Sequence, residues 1–550
     1  MSLSPTRVGR PVLRYLARIG ASIPVEAPSL VLAAALATFC AVVLAQSSYV
    51  PIWDSWIYAK CVVDAGTAWL PFERYGCAGH FSHAYVFLLA LPRRLGVMGM
   101  PGILLVNVLL GVGAVLSLYL IARSTFPSRR YRLDCAMLAS VWAVHPILLA
   151  SAVFVNIDYG VMAFGLMTLA SLMRGRPRLA AIFGLLLVFS KEIGSLVYAL
   201  ELGCYWVLVV GRGPGTLRDK LSEDGNVALH AAVLLVPAIY LRWLRPSTAP
   251  LWGNVTAKAL VDQMTTVRLL DPSTLAALTG IFVLSFSWAP SALVLADVCQ
   301  RAIAWGLALP NRVARTSGSR RLSCVSWLTF FLVFFLTRIQ TSISVRYYAI
   351  LYPLLLLAGL AATIRLSLRA AVRRTVFSSL VVLGLISSFR TVDPISKRIY
   401  GCFRFGVHQM LVMTSLNHEC CGYGIDQLVY NLEFTRVHDA LDAAVTWLRP
   451  SPRKPIVVAS ATDWHLLARM DPLTFHRTLP TPGDTAIPHL DLQELATRKD
   501  PPVEFDFLDV ATANGSGSLE ILRNQYDVTG VTRFGKDGYW FESFRMKRKQ

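Results

Sequence analysis

Long unbroken apolar stretches recur along the first 389 residues, separated by short segments in which arginine is concentrated. None alternates with the period of two that a membrane barrel strand requires, so the pattern predicts helices that cross a bilayer. The predicted crossings are 28–49, 101–122, 135–155, 159–173, 179–189, 194–210, 227–241, 275–296, 324–337, 347–364 and 375–389, eleven in all. The segments after the even-numbered crossings carry the arginines (RSTFPSRRYR, RGRPR, GRGPGTLRDK, the stretch with Arg301, Arg312, Arg315, Arg320 and Arg321, and the segment after 364). Those after the odd-numbered crossings are poorer in arginine or longer. Such alternation is the positive-inside pattern and predicts an N-terminus inside and a C-terminus outside. Arg93 and Arg94, in LPRRLG, break it and are expected on a juxtamembrane helix at the interface.

The pattern changes beyond 389. The roughly 160 residues that follow have the size of a domain. HDALDAAVTWLRP reads as an amphipathic helix, KPIVVASA as a buried strand, LEILRNQYDV as a helix and VTRFGKDGYWFESFRM as a hairpin. The expected architecture is an all-α polytopic membrane bundle with a small external α/β domain. Its parts are a basic N-terminus at 1–27, a membrane domain at 28–389 with a first external loop at 50–100, and a periplasmic domain at 390–550. The N-terminal Arg7, Arg10, Arg14 and Arg18 resemble a signal peptide, but the next apolar run is long enough to span and no small-residue cleavage site closes it. It is expected to be retained as the first crossing.

Composition agrees. Apolar residues make up 55% of the chain and charged residues only 16%, against about 25% charged in soluble domains. The net charge of +20 would suit nucleic acid, but arginine-rich inter-helix segments fix orientation in a membrane protein and no basic helix with interleaved aromatics is read, so nucleic-acid binding is rejected. Low lysine with high arginine and alanine points to a GC-rich bacterial source, and hence to a multi-pass protein of the inner membrane. Cys61 and Cys77 share the first loop and Cys402, Cys420 and Cys421 share the tail, so disulfides are expected there in an oxidising compartment. No CxxC spacing is present, and a structural zinc is not predicted.

Ionisable groups gather at the segments expected outside. The first loop holds Asp54, Lys60, Asp64, Glu73, Arg74, His80 and His83; FVNIDYG holds Asp158; FSKEIG holds Lys191 and Glu192; TRIQTSISVRYY holds Arg338 and Arg346. The turns at Asp158 and Lys191 are very short, and the 179–189 crossing is too short for comfort, which predicts that Lys191 is sunk within the bundle. Buried ionisable groups in membranes usually serve function. Glu201, within a crossing, is set aside as structural or cavity-lining.

WDSWIYAK, GHFSHAYVFLLALPRRLG, the run NIDYGVMAFGLMTLASLMRGRPRLAAIFGLLLVFSKE and SVRYYAILYPLLLLAGLAA, in that order and spacing, resemble the GT-C class of polytopic membrane glycosyltransferases. The likeness is to the bacterial branch similar to protein O-mannosyltransferases and lipid A aminoarabinose transferases. It covers most of the membrane region and little of the tail. This chain has Asp54-Ser55 where many relatives have two adjacent acids, and GHFSHAY lacks the usual prolines. The resemblance implies inverting transfer of a sugar from a polyprenyl-phosphate donor to a lipid, glycan or protein acceptor at the external face. It implies Asp54 as general base or acceptor-orienting acid. Asp158 supports it or shares a divalent metal cation with His83 or His80. Lys191 and Arg346 hold the donor phosphate, with Arg338 and Lys60 as further candidates. A flippase of lipid-linked sugars would show repeats and matched broken helices, and none is visible. A polysaccharide polymerase or ligase would rest on large loops between late crossings. A non-catalytic scaffold would have no use for charges at short turns.

Overall fold

A computed structural model describes residues 27–47, 49, 51, 54–66, 77, 80, 82–97, 99–211, 226–239, 272–306, 317–339, 345–388, 404–405, 408–409, 443–444, 446–448, 454–458, 489–510, 518–536 and 539–549. The N-terminal arginines, the 212–225 and 307–316 segments and Cys402, Cys420 and Cys421 lie outside the described residues. The chain is a predominantly helical membrane protein with a small sheet near its C-terminus. Five described helices are long and apolar enough to cross a bilayer: Ala27–Leu44, Met100–Thr125, Ile193–Val210, Ser319–Arg338 and Ala370–Ser388. Shorter apolar helices, among them Ile157–Met173, Pro177–Val188 and Leu351–Arg365, pack between them.

Helix Ile157–Met173 is the centre of the bundle, and every residue in it is buried. A helix apolar all round belongs inside a bundle rather than at its surface. It packs on Met100–Thr125, Pro177–Val188 and Ile193–Tyr205. Small residues permit this close approach, as they do between membrane helices in general. A Cβ at Gly111 would run into the Phe39 ring and the Tyr159 hydroxyl.

Two of the expected crossings are broken. The 135–155 run divides into Arg132–Ala143 and Pro146–Val153, bent by 47°. Pro146 has no N–H to continue the first helix and opens the second, and His145 caps it by accepting from Ile147 N–H at 3.3 Å. The 275–296 run divides into Pro272–Phe282 and Trp288–Gly306, and Ser285 and Phe286 at the break have positive φ of 54° and 64°. The first loop contains two helices, Asp54–Gly66 and His83–Arg94, the latter with Arg93 and Arg94 in its last turn as expected. A disulfide joins Cys61 to Cys77.

Side-chain contacts sort the helix ends into two groups. At one, Asp134 binds Arg373 at 2.7 Å, Asp297 binds Arg301 at 2.8 Å and Arg365 at 2.9 Å, and Arg321 donates to the Ser124 carbonyl at 3.0 Å. These are ends that carry the arginine-rich segments. Strands β1 Arg404–Phe405 and β2 His408–Gln409 form a two-stranded sheet, and near the C-terminus β3 Ile456–Val458, β4 His489–Asp491, β5 Glu504–Val510, β6 Tyr526–Lys536 and β7 Tyr539–Arg548 form a five-stranded sheet in the order β4-β3-β5-β7-β6. β3 runs parallel to β4 and β5, and the expected hairpin β6–β7 is antiparallel. Phe505, Phe507, Phe544 and Met546 form its core with helix Ser518–Arg523. This is the expected α/β unit.

Candidate functional site

The second group of helix ends brings together segments far apart in sequence. The link between Pro146–Val153 and Ile157–Met173 lies at its centre. Asn156 has an extended backbone and caps the second helix, its Oδ1 accepting from Asp158 N–H at 2.9 Å. Asp158 then falls in the first helical turn, where the helix dipole favours a negative charge. A buried network braces the link: Tyr85 donates to Asn107 Oδ1 at 2.9 Å, Asn107 Nδ2 donates to the Ala152 carbonyl at 2.9 Å, and Tyr159 donates to the Asn107 carbonyl at 2.7 Å.

Lys191 reaches this link from the turn after Pro177–Val188. That helix has 12 residues, about 18 Å at 1.5 Å per residue, against roughly 30 Å of hydrocarbon. Its turn therefore ends low in the bundle, and Lys191 is buried, as the short crossing predicted. Lys191 Nζ donates to Asp158 Oδ1 at 2.7 Å, with both side chains 8% exposed. Gly160 allows the approach: a Cβ there would sit 3.1 Å from the Tyr85 ring and 3.2 Å from Ser190 Oγ.

Arg346 enters from the short 3-10 turn Val345–Tyr348, ahead of helix Leu351–Arg365. It is buried, with its guanidinium 5.4 Å from the Phe154 ring centre and 5.2 Å from that of Tyr347. Lys191 Nζ lies 4.6 Å from the same Tyr347 ring. Two buried cations thus share one aromatic ring, Tyr347, and Lys191 also pairs with Asp158. Aromatic faces stabilise desolvated cations, so the arrangement holds positive charge in place without neutralising it fully.

Asp54 is the first residue of helix Asp54–Gly66, and the side chains of Asp54 and Lys60 lie outside those the structure describes. The adjacent Ser55 is fully buried, and its Oγ accepts from Val155 N–H at 2.9 Å. The backbone at Asp54 is therefore fastened to the link that carries Asp158. His80 pairs with Glu192 at 3.2 Å, next to Lys191, and His83 packs edge-on against Phe189. Arg338 is buried at the end of Ser317–Ile339, over the Phe334 ring of its own helix at 5.3 Å. Glu201 is buried eight residues beyond the start of helix Ile193–Tyr205, about 12 Å by helical rise, toward the end away from the Lys191 turn.

The structure thus brings Asp158, Lys191 and Arg346 into one cluster and fastens the Asp54 backbone to it. Tyr347, Ser55 and Asn156 were not anticipated. The adjacent tyrosines of VRYY were the one visible signal for Tyr347; a single Ser or Asn in a loop gives none. Among the described residues no group of three or more His, Cys, Asp or Glu is arranged to hold a metal ion. Asp158 pairs with Lys191 and His80 pairs with Glu192.

No protein-family model and no curated protein matches the chain. Among solved structures it is similar to ArnT from Cupriavidus metallidurans bound to undecaprenyl phosphate, at 14% identity over 93% of this chain and 97% of that one, with a TM-score of 0.53. The apo state of ArnT gives the same identity and coverage, 14%, 93% and 97%, with a TM-score of 0.50. The likeness extends over nearly the whole length of both chains and gives the fold, which is that of the ArnT structures and agrees with the architecture the motif order implied.

Proposed function

We propose that this protein is a membrane glycosyltransferase that moves a sugar from a polyprenyl-phosphate donor to an acceptor at the external face. The observation that carries the reading is the buried Lys191–Asp158 pair sharing the Tyr347 ring with Arg346 at one end of the bundle. A buried cation pair beside lipid-facing helices suits an anionic group borne on a lipid. Arginine offers a fork of donors to phosphate and lysine a compact charge. The ArnT structure of the same fold holds undecaprenyl phosphate, a lipid of this class.

In the proposed reaction the acceptor oxygen attacks the anomeric carbon from the side opposite the phosphate. The new C–O bond forms as the bond from the anomeric carbon to the phosphate oxygen breaks, with inversion. Asp54 accepts the acceptor's proton, and the electron pair leaves on the polyprenyl phosphate, whose growing charge Lys191 and Arg346 stabilise. Asp158 acts through Lys191 by holding its ammonium in place. In this reading the chain makes eleven crossings of a bacterial inner membrane, with the N-terminus in the cytoplasm and the α/β domain in the periplasm. The arginine-rich helix ends then face the cytoplasm, which agrees with the positive-inside rule.

The test is release of polyprenyl phosphate from radiolabelled polyprenyl-phosphate sugars by purified protein in nanodiscs with candidate acceptors. Release by the wild type and its loss in Asp54→Asn, with insertion intact, is the expected result. Undiminished release by Asp54→Asn would remove that residue from the chemistry.

A further inference from the structure

Asn156 carries a group whose purpose the fold does not explain. Its Oδ1 is committed as the cap of helix Ile157–Met173, which fixes the orientation of the amide: an oxygen, not a nitrogen, must face the Asp158 N–H. The NH2 group is then the other half. It is buried, with the residue only 1% exposed, and among the described residues no acceptor lies within hydrogen-bond reach of Nδ2. Buried amide donors are almost always paired, and one left alone is costly enough to call for an occupant.

The surroundings indicate what that occupant is. Two residues before Asn156, the Phe154 ring lies beside the Arg346 guanidinium. Two residues after it, Asp158 holds Lys191. The unused donor therefore sits on the short link between the points where the two cations meet the chain. It also sits at the N-terminus of a 17-residue helix, where backbone dipoles favour an anion. An anion with several oxygens suits this setting, since one oxygen can accept from the amide while its charge faces the two cations.

We infer that Asn156 Nδ2 donates a hydrogen bond to a phosphate oxygen of the lipid-linked donor, as a neutral third contact beside Lys191 and Arg346. This rests on the proposed function and assigns to the same site a residue not anticipated from the sequence. The role is binding and not proton transfer, since the amide does not ionise near neutral pH. Asn156→Ser and Asn156→Thr test it, because both keep a capping oxygen for the Asp158 N–H while their shorter side chains remove the amide donor. Asn156→Asp controls for charge: it keeps shape and cap but puts an acceptor where the donor was.

The experiment measures binding of undecaprenyl phosphate to the purified full-length chain in nanodiscs, with the thermal unfolding midpoint recorded for each variant. Lys191→Ala is the reference for the phosphate site. The expected result is binding weakened about tenfold or more in the Ser and Thr variants, as for loss of a hydrogen bond to a charged group, with midpoints close to the wild type. Wild-type binding in the Ser or Thr variant overturns the inference, because the amide then holds only water. Weakening confined to the Asp variant also overturns it, because that is charge repulsion and not a lost donor. Weakening that follows the fall in midpoint makes Asn156 structural and overturns it too. If Lys191→Ala binds as the wild type does, or the wild type binds nothing, the phosphate site itself is refuted and this inference with it.

Discussion

Ser55 and Val155, a hundred residues apart, are joined by a hydrogen bond of 2.9 Å from the Val155 N–H to the Ser55 hydroxyl. The bond is fully enclosed at Ser55, and it fastens the start of one helix to the link that carries Asp158. Ser55, the residue after Asp54, thus acts as a clasp.

Ser55→Ala leaves the Val155 N–H buried without its acceptor, a cost of about 1–3 kcal/mol. Asp54 is then no longer held in register with Asp158. In the proposed reaction the turnover number falls by more than the affinity for either substrate changes. Ser55→Thr, which keeps the hydroxyl, recovers part of it. Steady-state kinetics on the three proteins decide this; equal loss in the Ala and Thr variants would mean that packing volume, and not the hydrogen bond, matters.

Lys191 and Asp158 form a buried pair, so removing either partner strands the other. Asp158→Asn or Lys191→Met is expected to cost on the order of 3–5 kcal/mol, while replacing both with apolar residues costs much less. A double-mutant cycle on unfolding free energy in detergent reads this directly. Additive single effects would show that the two charges are not coupled. Restored stability in the double variant without restored sugar transfer would separate the fold's need for the pair from that of the chemistry.

Arg346→Lys preserves charge yet is not conservative here. The guanidinium lies beside two rings, Phe154 and Tyr347, and an ammonium can neither stack as a plane nor bind phosphate through two parallel donors. Donor affinity is expected to fall roughly 3- to 30-fold, the range of one cation–π contact of about 0.5–2 kcal/mol, with acceptor affinity little changed. Titrations of each substrate separate the two. A matching loss for the acceptor would place Arg346 elsewhere in the reaction.

Much of the frame was legible because the membrane imposes a simple rule: apolar length makes helices, and arginine marks one set of their ends. The burial of Lys191 followed from the length of one short helix. The breaks were harder to see. At His145-Pro146 the proline was in plain sight, but the apolar run continues through it, and hydropathy summed over a crossing does not register a bend. At 283–287 (VLSFS) there is neither glycine nor proline, so nothing announced the positive φ at Ser285 and Phe286. Helix Asp54–Gly66 was missed within a loop, although its buried Tyr58, Ala59, Val62 and Val63 recur at helical spacing. Asn156 and Ser55 owe their roles to partners that only folding supplies.

The Cys61–Cys77 disulfide ties the middle of this first-loop helix to the residue that bridges His80, through Cys77 N–H to the His80 carbonyl at 3.2 Å and His80 N–H to the Cys77 carbonyl at 2.8 Å. His80 in turn meets Glu192, next to Lys191. The crosslink spans 16 residues, and closing a loop of that size restrains the unfolded chain by about 3 kcal/mol. Reduction is therefore expected to lower the thermal midpoint of the wild type, and Cys61→Ser is expected to start at that lower midpoint and not respond to reductant. Sugar transfer should fall in parallel, because loosening the bridge frees His80 from its place beside the Lys191 turn. Thermal scans with and without a phosphine reductant, alongside activity, check this on both proteins. If reductant slows the Cys61→Ser variant as much as the wild type, other cysteines are responsible and this disulfide does not position the site.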